Sequence, residues 1–144
     1  MPDADMPMLE QARSLASRVH AGQVDKSGVA YVEHCRRVAD KLTDTPARTV
    51  AWLHDVLEDT ETSENELRSQ FDDSIVDAVV ALTRRGTEES GDYYRRVRAN
   101  ELARQVKRAD IHDNLDPLRL ALLDEVEANR LSAKYGNALV AIFG

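Results

Sequence analysis

Apolar positions recur every three or four residues along most of the chain, and nowhere do they alternate over the length of a strand. Leu9, Ala12, Ala16 and Val19 make the first such stripe, and Gly22 follows it. The stretch GQVDKSGVA, residues 22–30, lacks periodicity and reads as a loop. Cys35, Val38, Ala39 and Leu42 form the stripe of a second helix. Thr45 before Pro46 has the form of an N-cap with proline at the first helical position, and it opens a third helix that runs to about Glu58. Ser63 with Glu66 makes a capping box for a short fourth helix. Ile75, Val76, Val79, Val80 and Leu82 give a fifth, stopped at Gly86. After a loop over 86–92, a long helical pattern runs from about Asp92 to Asp113, with room for an interruption. Asp116 and Pro117 repeat the cap-then-proline signature. A last helix starts near Asp124, with Leu131, Tyr135, Leu139 and Ile142 on one face. The pattern predicts an all-α helical bundle, one domain over residues 1–144, undivided by a linker.

Composition narrows this picture. Of 144 residues, 42% are hydrophobic but only 5% aromatic, so the core should be mostly Leu, Val and Ala. The net charge of −7 argues against a nucleic-acid partner. No run approaches the length of a membrane span, and the N-terminus lacks the basic-then-apolar pattern of a signal peptide. Cys35 is the only cysteine, so no intramolecular disulfide forms. A cytoplasmic chain without a membrane partner is the expectation; the number of copies per assembly is open. The charge is uneven: residues 54–77 hold nine acids and one base, and residues 84–108 hold eight bases and four acids. Most of these charges read as solvated helix faces.

The stretch WLHDVLEDT, residues 52–60, concentrates metal-binding and proton-transfer groups. His54 and Asp55 are adjacent, and Glu58 and Asp59 follow one turn later. On a helix, His54 stacks with Glu58 and Asp55 with Asp59. Imidazole and carboxylate together suit borderline divalent ions such as Mn, Fe, Co or Zn. Further ligands must come from elsewhere. His34 lies at the start of the second helix. In VKRADIHDN, Asp110 and Asn114 share a face with Ala103 and Val106, and an inward carboxylate needs a partner, either a metal or an arginine.

HAGQVDKSGVAYVEH, WLHDVLEDT, ALTRR and VKRADIHDN, in that order over residues 16–114, resemble the successive motifs of HD-domain phosphohydrolases. The resemblance is greatest to the hydrolase domain of RelA/SpoT-type alarmone enzymes and to stand-alone small alarmone hydrolases. It implies a single HD domain with a divalent metal, usually manganese, held by His34, His54, Asp55 and Asp110. It implies that Glu58 and Asp59 orient or deprotonate a water, that Lys26 lies near the substrate, and that Asn114 lines the nucleoside pocket. The implied reaction is hydrolysis of the 3′-pyrophosphate of a nucleotide such as (p)ppGpp, with release of pyrophosphate. No synthetase segment follows in this sequence, so degradation alone is expected.

The chain departs from the family pattern at several positions. Asp25 stands where the family has arginine, Ala30 and Cys35 where it has proline, and Leu115-Asp116-Pro117 where it has a Met-Arg-Thr-like run. An acid cannot stack as a guanidinium does, so the adenosine counterpart (p)ppApp stands beside the guanosine alarmone as substrate. Two other readings stand beside this one: a phosphatase acting on another nucleotide such as NADPH, and a nucleotide-binding regulatory module without turnover. His20 and His112 read as packing or surface residues.

Overall fold

A computed structural model describes residues 6–144. Among these residues the helices are α1 Met6–Val19, α2 Tyr31–Asp40, α3 Thr45–Leu53, α4 Val56–Asp59, α5 Glu64–Gln70, α6 Asp73–Leu82, α7 Ser90–Ala99, α8 Glu101–Asn114, α9 Pro117–Leu120 and α10 Glu125–Phe143. No β-strand forms among them; the one extended pairing is a bridge between Val24 and Ala30 that closes the 22–30 loop. The fold is all-α. No helix is long and apolar enough to cross a membrane among the described residues.

Helix starts follow local chemistry. Ser63 accepts from Glu66 N–H, Asp116 from Leu118 N–H, and Asp124 from Glu127 N–H, each satisfying a donor that the first turn leaves free. Two expectations need correction. The cap of α3 is Asp44 and not Thr45: the Asp44 carboxylate accepts from Ala47 N–H, and Thr45 is already helical. Starting one residue earlier still leaves Pro46 inside the first turn, where its missing N–H costs nothing. The third helix also does not run unbroken to Glu58. It stops at Leu53, and α4 restarts at Val56. His54 Nδ1 lies 2.6 Å from the carbonyl of Ala51, the acceptor that a continuing helix would offer to residue 55. Asp55 takes φ −111° and ψ 2°, between the helical and extended regions, and its carbonyl then accepts from Asp59 N–H at 2.9 Å. The long pattern from Asp92 to Asp113 is likewise interrupted. Asn100 adopts extended geometry, and its side chain caps α8 by accepting from Ala103 N–H at 3.0 Å.

The core is built around α3, which packs against α1, α2, α6 and α8. Ala47, Val50, Ala51, Trp52 and Leu53 are all buried in it, and the buried Thr49 hydroxyl is satisfied by donating to Thr45 O at 2.8 Å. Val38, Val56, Leu67, Ile75, Val76, Val79, Val97 and Val106 complete it. Burial of each such side chain stabilises by about 1.5–3 kcal/mol. Helix α10 packs across α7 and α8. Because α3 packs against four helices, the His54–Asp55 break at its end is anchored at the core.

Candidate active site

Four elements converge where α3 breaks. His34 comes from the first turn of α2, His54 and Asp55 from the α3–α4 junction, and Asp110 from α8. His34 Nε2 lies 2.8 Å from Asp110 Oδ1. His54 Nε2 lies 3.0 Å from Asp55 Oδ2 and 3.5 Å from Asp110 Oδ1. His34, His54 and Asp110 are all buried. One ligand atom from each of His34, His54 and Asp110 lies within 4.8 Å of the others, whereas Asp55 touches this cluster through His54 and groups instead with Glu58 and Asp59, whose carboxylates are exposed.

The imidazole tautomers are set from behind. His34 Nδ1 faces Asp113 Oδ2 at 2.6 Å, and His54 Nδ1 faces the Ala51 carbonyl. His54 Nδ1, facing a carbonyl, therefore carries the proton and turns its Nε2 lone pair toward the carboxylates, whereas His34 meets a carboxylate at each ring nitrogen, Asp113 at Nδ1 and Asp110 at Nε2. A lone pair facing a carboxylate is repulsive unless a cation or a proton lies between them. His54 Nε2 is buried and makes no hydrogen bond. Two imidazole nitrogens with two carboxylates are the donor set of a borderline divalent ion, and the orphaned His54 nitrogen is where such an ion fits.

The electrostatics agree. Burial, then the charges of Asp110 and Asp59, push the Asp55 carboxyl well above its ordinary range. Burial pushes Asp110 up as well, but Lys107 and the His34 hydrogen bond hold it well below that range. His34 is pulled down by burial, yet its bonds to Asp110 and Asp113 keep it above its ordinary value. The carboxylates crowd one another in a way that a dication would relieve.

Several contributors lie outside the expected set. The Tyr31 hydroxyl donates to Asp55 Oδ2. Lys107 Nζ lies 3.2 Å from Asp110 Oδ2 and 5.3 Å over the Tyr93 ring. Asp113 is fully buried and accepts from Arg37 Nε at 2.9 Å and Arg119 Nη1 at 2.7 Å while holding His34. Only Lys107 and Asp113 had a signal in the sequence, each three residues from Asp110 on one helix. Tyr31 and Arg119 reach the site by tertiary folding alone.

The remaining candidates line one cavity of about 380 Å³, together with His34, Asp55 and Asp110. Glu58 and Asp59 lie on its wall, and Glu58 Oε1 accepts from Arg84 N–H at 2.8 Å. Asn114 lines it and donates to Asp110 Oδ1 at 3.2 Å. Lys26 lines it but is paired with Glu127 of α10. Asp25 does not leave a bare negative charge there. Its Oδ1 accepts from Ser27 N–H, Ser27 Oγ and Val29 N–H within its own turn, which Gly28 permits at φ +86°, and its Oδ2 accepts from Arg119 Nη2 at 3.2 Å. His20 stays off the cluster: it is buried, its Nδ1 meets Gln23 Oε1 at 2.8 Å, and Gln23 donates to the Asp59 carbonyl. His112 is exposed.

An all-α bundle that gathers two histidines and two aspartates at a helix break, beside a cavity with both acidic and basic walls, defines a metal-site architecture. Residues 12–127 match the family model described as HD domain, and the chain belongs to that family. A "GTP pyrophosphokinase" of Myxococcus xanthus is 33% identical over 87 residues, 58% of this chain and 12% of that protein. A "Guanosine-3′,5′-bis(diphosphate) 3′-pyrophosphohydrolase" of Aquifex aeolicus is 27% identical over 135 residues, 88% of this chain and 19% of that protein. The chain thus spans less than a fifth of these relatives. A solved structure described as a metazoan ortholog of SpoT that hydrolyzes ppGpp superposes with a TM-score of 0.79 at 22% identity, covering 100% of this chain and 88% of that one. It shares the fold.

Proposed function

We propose that this protein is a metal-dependent phosphohydrolase that removes the 3′-pyrophosphate of a guanosine or adenosine alarmone such as (p)ppGpp or (p)ppApp. His34, His54, Asp55 and Asp110 hold the cation, and manganese is the ion we assign. The observation that carries the reading is the buried, unbonded His54 Nε2 aimed into a cluster of carboxylates at the cavity wall. The relatives named as pyrophosphohydrolase and SpoT support the substrate class.

When bound, a divalent cation supplies Lewis acidity toward a phosphoryl oxygen and makes a nearby water more acidic. The chain's own groups do the rest. Glu58 and Asp59, on the wall beside Asp55, orient a water and take its proton. The water oxygen bonds to the phosphorus attached to the ribose 3′-oxygen. The P–O3′ bond breaks, and the 3′-oxygen leaves with the electron pair and takes up a proton. Lys107, held charged by Asp110, stabilises the negative charge on the phosphoryl oxygens. Tyr31 fixes the Asp55 carboxylate. Lys26 and Asn114, on the cavity wall, contact the nucleotide.

Product analysis tests the proposal. Purified protein with manganese is offered guanosine and adenosine 3′-pyrophosphate nucleotides, with NADPH in parallel and an Asp55→Ala control. The expected result is pyrophosphate release that the control lacks. Orthophosphate release from NADPH alone, or no turnover of any alarmone with metal bound, would reject the substrate assignment.

A further inference from the structure

Five basic side chains line the cavity: Lys26, Arg84, Lys107, Arg119 and Lys134. Three already have a carboxylate partner. Lys26 pairs with Glu127, Lys107 with Asp110, and Arg119 with both Asp25 and Asp113. Among the described residues Arg84 and Lys134 meet no carboxylate at ion-pair distance. Arg84 Nη2 donates to Ser90 Oγ at 2.7 Å, and its guanidinium lies 5.1 Å over the Tyr93 ring. Its Nε is buried with no hydrogen-bond partner. Lys134, on α10, lies 5.2 Å over the Tyr135 ring.

The buried Arg84 Nε, without a partner, is costly to hold out of water, and Lys134, whose side chain reaches the surface, is repelled by the cations around it. Burial, then the charges of Lys107, Arg130, Arg84 and Lys26, hold the Lys134 ammonium below its ordinary range. One kind of ligand relieves both costs. An anion with several acceptor oxygens satisfies the Arg84 donor and offsets the collected charge, and a phosphoryl group is such an anion. The location matters as much as the charge. The backbone N–H of Arg84 holds Glu58, so Arg84 adjoins the acidic wall without taking part in the His34–His54–Asp55–Asp110 cluster, and Lys134 lines the same cavity.

We propose that Arg84 and Lys134 form a second anion subsite of the cavity, which receives a phosphoryl group of the substrate other than the one attacked. This rests on the nucleotide-hydrolase reading above. The group is either the outer phosphate of the 3′-pyrophosphate or a phosphate on the 5′ side of the same nucleotide. Both present the same oxygens to the two cations.

The test uses Lys134→Ala and Arg84→Ala, with Lys134→Arg as the conservative variant that retains the charge. Two substrates are compared under manganese: a guanosine 3′-pyrophosphate carrying a 5′-diphosphate, and one with a free 5′-hydroxyl. Calorimetry in parallel follows binding of guanosine 5′-diphosphate and of inorganic pyrophosphate without added metal. Each alanine variant should raise KM about tenfold, with the loss greater in KM than in kcat, and Lys134→Arg should restore most of it. A KM rise confined to the 5′-diphosphate substrate, with weakened guanosine 5′-diphosphate binding, assigns the 5′ side. A rise for both substrates, with weakened pyrophosphate binding, assigns the outer 3′ phosphate. Unchanged KM and unchanged binding of both anions in the alanine variants would overturn the subsite. Failure of the wild type to turn over either substrate would instead reject the hydrolase reading, and the calorimetry would still decide whether the subsite exists.

Discussion

Replacing Asp113 by asparagine tests how the site is held from behind. Asp113 is fully buried, and its two oxygens accept from His34 Nδ1 at 2.6 Å, Arg37 Nε at 2.9 Å and Arg119 Nη1 at 2.7 Å. Asparagine has nearly the same shape but only one accepting atom. Where its amide nitrogen faces His34, the imidazole must give up the Nδ1 proton, which moves to Nε2. The Nε2 lone pair that a cation would need is then lost. Removing such an outer partner of a ligating histidine lowers metal affinity by about 10–100-fold, or about 1.4–2.7 kcal/mol. The fold also loses charge-assisted hydrogen bonds, worth about 1.5–3 kcal/mol each, although Arg37 and Arg119 can regain water because both are partly exposed. Titration calorimetry with manganese, well below the melting temperature of the variant and with helicity checked by circular dichroism, measures the effect. A folded Asp113→Asn protein that binds manganese within twofold of the wild type would refute the reasoning.

Three further outcomes follow from the packing and the charges. Leu53→Ala at the end of α3, where the side chain is fully buried, should cost about 2–5 kcal/mol in urea unfolding, and a loss below 1 kcal/mol would show that the frame can collapse around the cavity left behind. Asn100→Ala should cost about 1 kcal/mol through the lost cap of α8, while Asn100→Asp should keep most of it; equal stability of all three proteins would mean that the cap does not set the interruption. The hydrogen bonds from Arg96 hold Glu88 down to about 2 from an ordinary 4.5. A depressed carboxyl stabilises the fold above the unfolded value and loses that contribution as pH falls. Glu88→Gln should therefore melt earlier than the wild type at pH 7, and the gap should shrink progressively below about pH 4.5; a gap independent of pH would show that the Arg96 pair contributes nothing through charge.

Helix starts are legible in the sequence because capping is local. Ser63, Asp116 and Asp124 each satisfy an N–H two or three residues away, and no distant contact is required. The break at His54–Asp55 is not legible, because apolar spacing continues through Val56 and Leu57 and the interruption depends on a histidine side chain reaching the Ala51 carbonyl. That break puts Asp55 3.0 Å from His54 Nε2 and leaves Glu58 and Asp59 exposed on a separate short helix. The candidate ligands are legible as chemistry, since His54-Asp55 and Asp110 stand among apolar neighbours that draw them inward. Their convergence is a tertiary fact. So is the role of Asp25, which in the sequence reads as an acid that cannot stack as a guanidinium does and in the fold is held by Arg119 from ninety-four residues away.

The central claim is that one divalent cation, held by His34, His54, Asp55 and Asp110, is required for pyrophosphate release. The most direct measurement titrates manganese into the chelator-treated protein and follows bound metal and pyrophosphate release together. The expected result is that both rise in parallel and saturate at one ion per chain, and that His54→Ala and Asp110→Asn lose both. Full release of pyrophosphate by the chelator-treated protein, or saturating metal binding retained by His54→Ala, would contradict it.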